Sequence, residues 1–177
     1  MSESLGLSVG TTNLVAGATG RSAVIRRSVL TVQPDRPAEV GVPGENPNLE
    51  QPPHPDSLVL TGFVERVGDP IPLVAADGSA HQADRVLAEA LDAMARAAGG
   101  GSPVAIAVPS YWGPAAVGAL RGALRAVPGL APGGVPAALI PDAAAALTAL
   151  AADPGLPTTG VVALLDFGGT GTSISLA

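Results

Sequence analysis

The chain has 177 residues, 47% of them hydrophobic and 14% charged, which suits one domain or one lobe and excludes a highly charged disordered chain. Its formal charge is −6, and its nine basic residues are all Arg and scattered apart from Arg26-Arg27, so no basic footprint for nucleic acid is present. There is no cysteine, and the two histidines, His54 and His81, stand far apart, which excludes disulfides and thiolate metal sites and argues against a zinc centre.

The opening residues, MSESLGLSVG, lack the basic and long apolar regions of a signal peptide. No apolar run approaches the roughly 18 residues of a membrane span, so no membrane partner is expected and the cytoplasm is the default location. Residues 5–9 and 14–18 are short apolar strands around the polar turn Gly10-Thr11-Thr12-Asn13. With the runs Ser22–Arg26 and Ser28–Val32 they predict an antiparallel meander.

Residues 34–57 carry prolines at 34, 37, 43, 47, 52, 53 and 55, which forbid a long helix or a central strand and predict an extended surface loop. The whole of 33–80 is expected to be a surface loop or insert region, with apolar segments at 58–64 and 71–75 and a turn at Asp77-Gly78.

A helix follows over roughly 85–98, capped by Asp84, with Leu87, Leu91, Met94 and Ala98 on one face. Arg85–Glu89 and Asp92–Arg96 are i, i+4 pairs on its wet side. Then comes an alternation: a strand at 103–108, a helix over 114–127, a strand at 136–140, a helix over 142–152 and a strand at 160–165. Continuous apolar strands separated by helices imply an α/β sheet covered by helices. The strands at 103–108, 136–140 and 160–165 are expected to join the opening meander in one mixed sheet.

Two glycine turns between apolar strands carry the functional signal: Gly10–Asn13, and Asp166-Phe167-Gly168-Gly169-Thr170-Gly171-Thr172. Glycine lets an anion approach the backbone closely. Backbone N–H groups and Thr hydroxyls make a neutral cradle for phosphate oxygens. An acid at the end of the preceding strand would stand where a hydrated Mg²⁺ meets it. Either turn alone reads first as a plain hairpin turn. Neither is a Walker A loop or a Rossmann fingerprint.

Together, and in this order, they resemble the two phosphate loops of DnaK-type heat-shock chaperones. Gly6-Leu7-Ser8-Val9-Gly10-Thr11-Thr12-Asn13 is similar to that family's G-I-D-L-G-T-T-N. Asp166 to Ser175, DFGGTGTSIS, is similar to its D-L-G-G-G-T-F-D-I-S. Between them, Val40-Gly41-Val42-Pro43 resembles its V-G-x-P turn and Val108-Pro109-Ser110-Tyr111-Trp112 its V-P-A-Y-F element. Ile140–Leu147, IPDAAAAL, resembles the family's I-N-E-P-T-A-A-A-L helix start.

The resemblance implies a lobe of the actin-like ATPase (ribonuclease H-like) fold, a mixed five-stranded-type sheet with helices packed on it. It implies that 160–177 begins a second phosphate-loop hairpin, and that the chain is a part of a longer protein. It implies ATP and Mg²⁺ as cofactors, with Gly10, Thr11, Thr12, Asn13, Asp166, Gly168, Gly169, Thr170 and Gly171 on the nucleotide and Asp166 as the metal-side acid. Asp142 falls on the family's water-orienting Glu, although it reads as well as a helix cap. Arg66 is the nearest positional candidate for the family's phosphate-binding Lys, although it reads as well as a solvated surface residue.

The departures are chemical. Ser8 and Ser173 stand where the family has Asp, Gly171 replaces a Thr, and the chain has no Lys. A degenerate ATP-binding lobe with weak or no hydrolysis is therefore expected. A pseudo-ATPase scaffold with protein partners, and a sugar- or acyl-kinase relative of the same fold, are the alternatives. Tyr111 and Trp112 are either a docking patch or loop packing.

Overall fold

The computed structural model describes residues 3–157 and 159–177. In chain order it forms β1 (Leu5–Val9), β2 (Asn13–Ala18), β3 (Val24–Arg27), β4 (Leu30–Gln33), β5 (Arg36–Val40), β6 (Leu58–Leu60), β7 (Leu73–Val74) and β8 (Ala80–His81). Helix α1 (Ala83–Ala97), β9 (Val104–Val108), α2 (Pro114–Leu124), β10 (Ala138–Pro141), α3 (Asp142–Ala152), β11 (Ala163–Phe167) and β12 (Thr172–Leu176) follow.

The main sheet is mixed and five-stranded, in the order β10-β9-β1-β2-β3. β1, β2 and β3 are the antiparallel meander, with Ser8 opposite Val15 and Val15 opposite Ile25. β9 runs parallel to β1, and β10 parallel to β9. The two faces differ in residue size. Leu5, Leu7, Val9, Leu14, Ala16, Val104, Ile106 and Val108 are buried on one face. Gly6, Ser8, Ala105 and Ala107 alternate with them on the other, as strand geometry requires.

α1 lies against the large-residue face and is the centre of the core. Val86, Leu87, Leu91 and Met94 are all buried, worth about 1.5–3 kcal/mol each. The helix touches β1, β2, β5 and α2, so it is nearly encircled. Asp84 lies in its first turn and Gln82 holds the cap position, without a side-chain capping bond. Of the two expected pairs on its wet side, the Asp92–Arg96 pair forms, and Arg85–Glu89 is not among the ion pairs of the described residues. Arg96 also donates to the Ala38 carbonyl at 2.8 Å, and Arg21 to the Ala98 carbonyl at 2.8 Å. Both tie the last turn of α1 to its neighbours, where cations suit the helix dipole.

Three expectations are corrected. The fourth run leaves the meander: β4 forms a second sheet, β5-β4-β6, instead. The 33–80 region is more than surface loop, since Ala38, Val40, Leu60, Phe63, Val64 and Val67 belong to the core. Asn46 is buried too, donating to Glu39 and to the Val40 carbonyl at 2.9 Å each. Finally, the strand expected at 160–165 begins at Ala163 and does not join the main sheet. It pairs only with β12, as a two-stranded ribbon with Leu165 opposite Ile174. One face of that ribbon leaves Leu165, Phe167, Ile174 and Leu176 exposed. The Asp-Gly turn is as expected, closing the β7–β8 hairpin with Gly78 at φ 85°.

Candidate phosphate-binding cleft

Parallel strands leave a crevice beyond their carboxyl ends, the common ligand position in α/β sheets. Here β1, β9 and β10 all end at one such crevice. β1 runs into the first glycine turn, β9 into Pro109-Ser110-Tyr111, and β10 into Asp142 at the start of α3. The β11–β12 turn closes it from the far side. The result is two adjoining open cavities of about 580 and 470 Å³, both lined by Gly10, Thr11, Asp142, Asp166, Gly168 and Ser173.

The first turn is held from behind by Ser28. Its hydroxyl donates to the Gly10 carbonyl at 2.7 Å and its N–H to the Thr12 carbonyl at 2.9 Å. A Cβ on Gly10 would stand 2.7 Å from the Asn13 carbonyl oxygen, so only glycine closes the turn this tightly. In the second turn the Gly168 N–H donates to the Gly171 carbonyl at 2.8 Å. The two turns touch: Thr170 Oγ1 donates to Thr11 Oγ1 at 3.1 Å. Gly169 packs directly on Thr12, whose Oγ1 a Cβ would strike.

Asp142 is fixed through one oxygen. Its Oδ1 accepts from the Ser110 N–H at 2.9 Å, from the Ser110 hydroxyl, and from the Ala143 N–H at 2.6 Å. The residue therefore stands in the first turn of α3, with Pro141 at the cap position and no side-chain capping bond, and it faces the cleft. Tyr111 lines the smaller cavity with Glu65. Partial burial, then the charges of Glu65 and Asp142, push its phenol above the ordinary value. Tyr111 is 63% exposed whereas Trp112 packs against the core, so of the two rings only Trp112 serves as loop packing.

Most of the residues singled out from the sequence meet here. Gly10, Thr11, Thr12, Asn13, Asp142, Asp166, Gly168, Gly169, Thr170 and Gly171 all line the cleft. So do Ser8 and Ser173, the two serines in acid positions. Arg66 does not: it is committed to Asp69 at 3.2 Å and the Ile71 carbonyl at 3.0 Å. Its neighbour Glu65 lines the cleft in its place. The 3-10 turn Val64–Arg66 sends adjacent side chains in different directions, so a shift of one residue reverses the charge delivered. Among the lining residues are three carboxylates and no Arg or His.

Glu65, Ser110 and Ser28 are the residues that sequence reasoning missed. Ser28 and Ser110 act across the fold on a turn and a carboxylate distant in sequence, and Glu65 meets Tyr111 from another element, so local pattern does not mark their roles. Among the described residues no three Asp, Glu or His side chains gather closely enough to hold a metal ion. No protein-family model matches the chain, and neither does any curated protein.

Proposed function

We propose that this chain is a divergent nucleotide-binding lobe of the actin-like ATPase fold, similar to that of DnaK-type chaperones, which holds ATP weakly and hydrolyses it slowly or not at all. The observation that carries this reading is the meeting of two glycine-threonine turns, 159 residues apart at Thr11 and Thr170, at the carboxyl ends of the parallel strands. The five-stranded mixed sheet covered by helices is compatible with it. The turn amides and Thr hydroxyls would bind phosphate oxygens. Asp166 would meet a hydrated Mg²⁺ through water, and Asp142, oriented by Ser110, would position a water. The metal supplies charge neutralisation when bound.

The lining also supports weak activity. Ser8 and Ser173 remove two negative charges from the cation's surroundings, and no Lys or Arg replaces the family's ammonium. Each such loss costs about 1–3 kcal/mol, the scale of a lost charged hydrogen-bond partner. Titration calorimetry with Mg-ATP is the test, with a dissociation constant between roughly 10 μM and 1 mM expected and no steady phosphate release. Affinity tighter than about 1 μM would show that the serines and missing ammonium carry little weight. No binding at millimolar nucleotide would refute the nucleotide reading. It would favour a pseudo-ATPase scaffold, the reading that Ser8, Ser173 and the averted Arg66 already support.

A further inference from the structure

The turn-to-turn contact has more in it than proximity. The first turn is anchored, since Ser28 holds the carbonyls of Gly10 and Thr12 and both flanking strands lie in the main sheet. The second turn belongs to a ribbon paired with no other strand. Among the described residues, the bond from Thr170 to Thr11 is the only hydrogen bond between residues 160–177 and the rest of the chain. The groups that would serve a phosphate are engaged with one another: Thr170 gives its proton to Thr11, and Gly169 sits against Thr12. A phosphate oxygen cannot accept from Thr170 while Thr11 does, nor enter between Gly169 and Thr12.

We propose that this contact is a latch. It keeps the facing groups of the two turns engaged with each other at the edge of the open cleft when no anion is present, and a phosphate-bearing ligand gains them only as the turns part. This rests on the phosphate-binding reading above, and it adds the regulation of that site. One exposed, neutral hydrogen bond is a weak tie, so the two arrangements lie close in free energy and a ligand that prefers the open one shifts the balance toward it. The glycine at 169 is what makes the closed arrangement sterically available.

The absence of native cysteine makes the test direct. In Thr11→Cys/Thr170→Cys the new thiols replace the two bonded hydroxyls and are the only thiols in the chain. Under mild oxidation they are expected to form a disulfide readily. Mg-ATP is expected to slow that reaction roughly tenfold, as a ligand with a tenfold preference for the parted turns would. In calorimetry the reduced double variant is the reference, whatever affinity it keeps without the two hydroxyls; oxidation should weaken its Mg-ATP binding roughly tenfold or more, and reduction should restore that reference. Pyrophosphate is run in the same two arms. If the disulfide does not form in folded protein, or if ligand binds the oxidised and reduced forms alike, the latch is overturned. An unaltered chain that binds pyrophosphate but not Mg-ATP overturns the nucleotide reading alone, and pyrophosphate then decides the latch. If neither anion slows the crosslinking, the latch is overturned. Thr12→Cys/Thr170→Cys, read in the same way, stands in should the first pair fail to fold.

Discussion

Replacing Gly68 with alanine separates two costs that usually arrive together. Gly68 has φ +85°, and a Cβ there would stand 3.0 Å from Ala116 Cα and 3.1 Å from its N. The obstacle is helix backbone at the start of α2, which cannot turn aside as a side chain would. The left-handed conformation costs a non-glycine residue about 1–2 kcal/mol, and forcing a methyl into packed backbone about 1–3 kcal/mol. A loss of about 2–5 kcal/mol is therefore expected as the sum of the two terms. For a chain of this size each kcal/mol moves the midpoint by about 2–4 °C. Gly62 is the internal control, because its φ is +68° and a Cβ there meets nothing within 4 Å. Gly62→Ala should show the backbone cost alone. Urea and thermal denaturation followed by circular dichroism measure both. Equal losses for the two variants would refute the packing of this loop on α2.

Ile106 is fully buried in the interior strand β9, so Ile106→Ala should lower stability by about 2–5 kcal/mol in urea denaturation. Ser110→Ala removes a donor to Asp142 at the first turn of α3, and a loss of about 0.5–2 kcal/mol, the scale of an N-cap deletion, should be read by the same method. The chain has a single tyrosine, so absorbance titration should place the Tyr111 midpoint above 10.0. Glu65→Gln should move it part of the way back, with partial burial and the Asp142 charge accounting for the remainder. Asp69 and Asp77 are held below 3.8, by hydrogen bonds chiefly from the Ile71 N–H and from Ser79 respectively, and Glu45 below 4.5, first by the Arg27 N–H. Depressed carboxyls contribute stability above their unfolded values that is lost as pH falls through the folded ones. The melting temperature should therefore hold at neutral pH and drop below about pH 4.5, and Asp69→Asn should flatten part of that drop.

The elements whose signal is local were legible in the sequence. The buried stripe of α1 at Leu87, Leu91 and Met94 follows from helical spacing alone, and the glycine turns follow from residue type. What was lost depends on pairing at a distance. The run ending in Leu164 and Leu165 looks like any buried strand, yet an apolar run does not say which strand lies beside it, and this one lies only beside β12. Likewise Leu30–Gln33 continues the meander in sequence, but β4 pairs with β5 and β6 instead. The cleft was legible in its glycines and threonines because close backbone approach demands particular residue types. Its charge was not, since whether Arg66 or Glu65 faces inward is decided by the phase of one short turn.

The separate standing of the β11–β12 ribbon divides the cleft into halves of unequal robustness. A lone two-stranded hairpin is at best marginally stable, whereas the first turn is embedded in a sheet whose central side chains are fully buried. Local opening of the ribbon should thus cost far less than unfolding the body. Amides of 163–176 should exchange with solvent long before those of β1 and β9. Substitutions that weaken the ribbon should disable the cleft while leaving the melting temperature of the protein unchanged. Damage to this half of the site is therefore invisible to any screen that reads only whether the chain folds.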